Sequence, residues 1–262
     1  MAQSGELTPF LADHVTEEGR TAFLKAIRTG ATTADIPAVS NAKGYRTDGA
    51  GVASAPTSSS HRSTATTVFS SVVGAIAAAE SNPLVEGDRL QAFRLAFRAY
   101  SALAQNRDDA ASRADLCIAA FLQNRAEDDG SRMGASSSFG GDYAVSTALH
   151  VQFPHVGQGE SISTIHATKI RLSQDDEAAA QVVADALGLS RSNRPIRLVI
   201  ADELERLYRC VGMPIRLSEL NIPRSALPLI AGQTVKNFNA NAGVRSDGER
   251  IAAAQQLLEA AY

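Results

Sequence analysis

Residues Arg89–Ala104 read RLQAFRLAFRAYSALA. Leu90, Phe93, Phe97, Tyr100 and Ala104 recur at spacings of three and four, while Arg94 and Arg98 fall between them. Only a helix of 3.6 residues per turn gathers such apolar side chains onto one face. Working outward, the same period returns. Val68–Glu80, VFSSVVGAIAAAE, is small and apolar all round, which predicts a buried helix, and Asn82-Pro83 ends it. Asp108–Asn124 repeats the amphipathic pattern through Ala111, Leu116, Ala119, Ala120 and Phe121, giving a helical hairpin with Arg89–Ala104.

Further along, Asp175–Leu187 opens with three acidic residues at the positive end of a helix dipole and stops at Gly188. Pro195–Val211 predicts a long helix with Ile200, Leu204, Leu207, Tyr208 and Val211 inward. A short capped turn from Ser218, a helix near Ser225–Thr234 and a closing helix Asp247–Tyr262, with Asp247 as N-cap, complete the pattern. No alternating strand, βαβ unit or glycine fingerprint interrupts it. The fold class is all-α, a helical bundle.

Before the bundle, Thr16–Arg28 predicts a helix with Phe23, Leu24 and Ile27 as its docking face. Ala31–Thr67 is rich in Ala, Ser, Thr and Gly and reads as a long loop or linker. The chain thus divides into residues 1–66, a helix plus linker, and residues 67–262, the helical domain. The glycines of AKGYRTDGAG, 42–51, follow no strand and precede no GK[ST], so a flexible loop fits them better than a phosphate cradle.

Composition narrows the partners. The 262 residues carry a net charge of −3 and no Lys/Arg run, which argues against nucleic acid and anionic lipid. No segment reaches the 18 apolar residues of a membrane span and no signal-peptide pattern opens the chain, so a cytoplasmic location is expected. Cys117 and Cys210 sit within apolar helical patterns and read as buried small hydrophobes rather than a disulfide or metal pair.

Chemistry concentrates in Val145–Leu172, VSTALHVQFPHVGQGESISTIHATKIRL, which holds three of the five histidines. His155, after Pro154 and before a Gly-rich turn, is the first candidate for acid–base work. Glu160 could pair with it, and His150 and His166 could extend it. The three histidines would also make a sound Zn²⁺ ligand set, although no i, i+4 spacing joins them. Each could equally be a packing histidine. Lys169 and Arg171 are candidates to hold a substrate carboxylate or to face solvent. Tyr143 is a further substrate-binding candidate beside Asp142, which reads as an N-cap.

Two pieces carry a family resemblance. Val72–Tyr100, VVGAIAAAESNPLVEGDRLQAFRLAFRAY, resembles a helix bearing an Ala-Ile-Glu-Ala run, then Asn-Pro-Leu, then a helix alternating Ala with large apolar residues. Glu203–Tyr262 resembles a closing segment with a Gly-x-Pro turn, a Leu-x-x-Leu-x-Ile-Pro element, an Asn-rich loop and a final Leu-Leu-x-x-Ala-Tyr. Both are similar to the iron-containing alcohol dehydrogenase family, including its maleylacetate reductase branch. The resemblance covers about residues 66–262 and implies that family's C-terminal helical domain, of the dehydroquinate synthase-like superfamily, with no counterpart of its dinucleotide-binding domain.

It also implies a metal site, and there the pattern departs. The family's Asp and the His four residues on fall at Ser70 and Gly74; a third ligand falls near Gly141, Tyr143 or Thr147; only the Pro-His ligand is kept, as Pro154-His155. One ligand of four cannot hold a catalytic divalent ion. The maleylacetate reductase branch carries a histidine close to the place of His166. Asn237, Asn239 and Asn241 match the family's cleft-facing loop, Asn239 being the substrate-binding candidate.

The expected function is an alcohol dehydrogenase-like domain that binds or transforms a small polar or carboxylate substrate around His155 without the family metal. Two other readings stand beside it: the catalytic subunit of a split NAD(P)-dependent oxidoreductase, and a non-enzymatic interaction module. No cofactor is expected of the chain itself. Zn or Fe would be the alternative, with NAD(P) reaching it only through a nucleotide-binding partner chain; self-association as a homodimer is the other expected partnership.

Overall fold

The computed structural model describes residues 58–78, 82–106, 109–129, 138–174, 176–190, 193–236 and 246–262. Among them run nine α-helices: α1 (Ser58–Ala77), α2 (Pro83–Leu103), α3 (Ala110–Asp128), α4 (Tyr143–Gln152), α5 (Gln158–Leu172), α6 (Glu177–Ala186), α7 (Ile196–Cys210), α8 (Leu227–Thr234) and α9 (Asp247–Ala260). Two 3-10 turns, Leu217–Leu220 and Arg224–Ala226, precede α8. No strand occurs among the described residues, and no helix there is long and apolar enough to cross a membrane.

Short polar side chains set most of the helix starts. Asn82 accepts from the Leu84 N–H ahead of Pro83, whose missing N–H costs nothing at a first turn. Asp109, Asp142 and Asp176 cap α3, α4 and α6 in the same way, Asp142 as its sequence position predicts. Gly188 ends α6 with φ +71°, a left-handed turn that glycine adopts without steric cost. The cap of α9 is Ser246 rather than Asp247: its hydroxyl accepts from Glu249 N–H while the Glu249 carboxylate accepts from Ser246 N–H, a reciprocal capping box.

Helix α5 is the spine, packing against α1, α4, α7 and α9. Its Ala167 and Ile170 belong to a core with α1, α2, α3, α6 and α7; its Ile165 belongs to a second with α4, α8 and α9. In the first, Phe69 stacks on Tyr100 at 4.6 Å and Tyr208 meets Tyr100 edge-on at 6.1 Å. The α2–α3 hairpin carries outward-facing pairs, Arg98 bidentate to Asp115 at 2.8 and 2.9 Å and Arg125 on Asp88.

Several expectations need correction. Helix α1 begins at Ser58, so residues 58–67 are helical rather than loop. Hydroxyl side chains compete for backbone in an isolated segment, but packing settles the matter here: Ala65 and Thr66 are fully buried, and the Thr66 hydroxyl shares a 2.8 Å hydrogen bond with Tyr100. Cys117 and Cys210 are exposed, each on the outer face of its helix. Leu90 lies at the exposed margin of α2. The helix expected at Thr16–Arg28 and the loop before residue 58 lie outside the described residues.

Candidate functional site

A cleft of about 440 Å³ opens between the first half of α1, the Pro154–Gly157 turn and the first turn of α5. Its polar lining is Ser63, Thr64, Thr67, His155, Gln158 and Glu160. Two glycines stand at the crossing. A Cβ on Gly159 would stand 2.0 Å from the Ser63 carbonyl oxygen, and one on Gly157 would stand 2.1 Å from Glu160 Oε2. At Gly159 the neighbour is α1 backbone, so only hydrogen there lets α1 approach so closely; at Gly157 a Cβ would instead displace the Glu160 and Ser63 side chains. The approach brings Ser63 to the start of α5, where its hydroxyl accepts from the Gly159 N–H at 2.9 Å and donates to Glu160 Oε2 at 2.5 Å. The N-cap of α5, Gly157, supplies no side-chain cap, and Ser63 satisfies one of the orphan donors from a different helix.

His155 is exposed on the cleft rim, its Nε2 3.2 Å from the Leu220 carbonyl. A carbonyl accepts only, so Nε2 carries the proton and Nδ1 is the basic nitrogen of the neutral ring. Phe153 stands edge-on to it at 6.0 Å. His155 and Glu160 share the cleft without pairing: the imidazole is bonded to Leu220 and the carboxylate to Ser63.

The other candidates go elsewhere. His150 is exposed on α4 and its Nδ1 donates to Val156 O at 2.6 Å, pinning the turn. His166 is fully buried: Nε2 donates to Phe139 O at 2.8 Å and Nδ1 accepts from the Tyr208 hydroxyl at 2.5 Å. Both ring nitrogens are thus used and the ring is neutral; burial lowers its pKa to about 4, and burial likewise drives the Tyr208 phenol upward. The three histidines therefore form no joint site. Among the described residues no group of three His, Cys, Asp or Glu side chains could hold a metal ion.

Neither expected carboxylate anchor reaches the cleft. Lys169 turns inward and donates to Gly140 O at 2.9 Å; burial lowers its pKa, and Asp142 opposes that. Arg171 is bound to Glu205 at 2.5 Å and Asp202 at 2.8 Å, in a network that adds Arg216 and Arg194. Tyr143 donates to Thr67 O at 3.2 Å, which ties it to α1, and burial raises its pKa. Asn239 lies outside the described residues.

Two of the places that the resemblance assigns to metal ligands, Ser70 and Gly141, come together. Ser70 is fully buried, and a Cβ on Gly141 would meet its Oγ at 3.1 Å and Ile162 Cγ2 at 3.2 Å. Yet the donors there do not fit a divalent ion: the Ser70 hydroxyl donates to Thr67 O at 2.9 Å, Gly74 and Gly141 have no side chain, and His155 is on the rim. A single imidazole and a neutral hydroxyl fall short of the three donors such a site needs.

Ser63, Thr67 and Gln158 are cleft residues that sequence reasoning missed. The available signal was Gly157-x-Gly159 at a helix start, a spacing that marks close approach of another backbone.

Residues 63–261 match the profile of the Fe-containing alcohol dehydrogenase family, C-terminal part. The fold is similar to NADH-dependent butanol dehydrogenase A from Thermotoga maritima, with TM-score 0.63 and 15% identity over 79% of this chain and 53% of that one. Alcohol dehydrogenase from Oenococcus oeni gives 0.60 and 15% over 78% and 52%. An archaeal halo-thermophilic alcohol dehydrogenase from a Red Sea brine pool gives 0.60 and 16% over 78% and 51%. The chain spans about half the length of these solved structures. A search of curated proteins gives no match. With the family profile matching three-quarters of its length, and the fold agreeing, the chain belongs to the Fe-containing alcohol dehydrogenase family, over that family's C-terminal part.

Proposed function

We propose that this domain binds a small polar molecule in the α1–α5 cleft around His155 without the family's metal. The observation that carries this reading is the lining itself: three hydroxyls, an imidazole, an amide and a carboxylate facing about 440 Å³. Such a surface offers hydrogen bonds in both senses to a hydroxylated, uncharged compound. Among the described residues its lining has no Lys or Arg to neutralise a carboxylate, since Lys169 and Arg171 are engaged elsewhere. The neutral form of His155 presents Nδ1 as a base, so proton transfer to or from a bound hydroxyl is the chemistry within reach.

A thermal-shift panel of small polyols, hydroxyaldehydes and hydroxy acids on the full chain tests the reading. Stabilisation by an uncharged hydroxylated compound, lost in His155→Ala and in Thr67→Val, supports it; stabilisation unaffected by either variant would overturn it.

A second reading, self-association, rests on a different observation. Val151 on α4 is 66% exposed and Leu229 on α8 is 51% exposed, and these two helices pack side by side, with Gln233 bonded to Gln152 at 3.3 Å. Sedimentation equilibrium of the full chain against Val151→Glu would distinguish a dimer held there from a monomer.

A further inference from the structure

We propose that Ser63 is a carboxylate-activated nucleophile, with Glu160 as its general base, able to take an acyl group from a small ester bound in the cleft. The inference rests on the cleft reading above but adds a covalent step to it. Three features of the geometry carry it. The Ser63 hydroxyl donates to the Glu160 carboxylate, the hydrogen bond that a general base makes with the nucleophile it activates. Both side chains line the open cleft rather than the core, so a substrate carbonyl can reach them. Gln158, the first residue of α5, lines the same cleft, and its N–H has no intrahelical acceptor, whereas the Gly159 N–H already serves Ser63. That end of the helix is where a developing oxyanion would be stabilised.

The step balances without any further reagent. Ser63 Oγ attacks the ester carbonyl carbon as its proton passes to Glu160 Oε2. The carbon–oxygen bond to the leaving alkoxide breaks, and the alkoxide takes the proton from Glu160, leaving an acyl ester on Ser63. Water then attacks that ester, Glu160 takes the proton of the water, and Oγ recovers it as the carboxylic acid departs.

A purely architectural reading gives the same hydrogen bonds another purpose: Ser63 caps α5 and clamps the helix crossing. Glu160→Gln separates the two. Its amide oxygen can still accept from Ser63, so the clamp survives, but it cannot take a proton.

The experiment treats the full chain with p-nitrophenyl acetate and follows p-nitrophenolate release together with peptide mass. The expected result is a burst leaving one acetyl group on the Ser63 peptide, absent in Ser63→Ala. In Glu160→Gln the burst should slow by roughly 100-fold or more, with helical circular dichroism unchanged. No acetyl group on Ser63, or equal burst rates in Glu160→Gln and wild type, would overturn the proposal. Because reversible binding is read by thermal shift in His155→Ala, failure of acylation and failure of the cleft reading are distinguishable.

Discussion

Two histidines eleven residues apart in the sequence occupy opposite settings around α5. His166 is sealed, with both nitrogens bonded to Phe139 and Tyr208; His155 stands in solvent at a cleft, tied through one nitrogen. The first region is organised by burial, which holds the ring neutral and makes it part of the core. The second is organised by close approach, Gly159 letting α1 onto α5 and leaving polar side chains around an opening. Histidine density alone does not distinguish a site from a scaffold; what surrounds each ring does.

The largest way to break this contrast is His166→Ala. It empties a buried volume and removes the ring that pairs with the Tyr208 hydroxyl and Phe139 carbonyl, so stability should fall by about 4 kcal/mol in urea unfolding. Next comes pH. A histidine held near pKa 4 when folded and about 6.5 when unfolded stabilises fully above pH 6.5. That contribution is lost as the pH falls from 6.5 to 4, because the unfolded chain binds the proton first. The loss should approach about 3 kcal/mol, and His166→Gln should flatten this part of the curve. Gly159→Ala should cost about 3 kcal/mol by driving a Cβ into the Ser63 backbone, and it should distort the cleft. The smallest effect belongs to His155→Ala, under about 0.5 kcal/mol in the same unfolding assay, since its ring is exposed. If His155→Ala destabilised as much as His166→Ala, the division into scaffold and site would fail.

The sequence made the helical fold readable because α2 and α7 write their buried faces in a 3.6-residue period, and because the Asp142 cap is a local signal. It hid the first half of α1, where hydroxyl residues pack against distant parts of the chain, Thr66 meeting Tyr100. The site divides in the same way. Pro154-His155 and Glu160 stand in one short stretch, whereas Ser63 meets Glu160 across 97 positions. Lys169 and Arg171 show their charge locally but not their partners; those of Arg171, Asp202 and Glu205, lie 31 and 34 residues away. Periodicity reports which side faces in, and it says nothing about which charge another helix will neutralise.

The central claim, that the family fold persists here around a cleft that does not hold the family's metal, is most directly tested by metal analysis. The purified chain would be incubated with Fe²⁺ or Zn²⁺, passed through a desalting column and analysed by mass spectrometry for bound metal, with unfolding followed in parallel. The account predicts no stoichiometric metal and no shift in unfolding temperature with either ion. One Fe or Zn per chain, lost in His155→Ala, would contradict it.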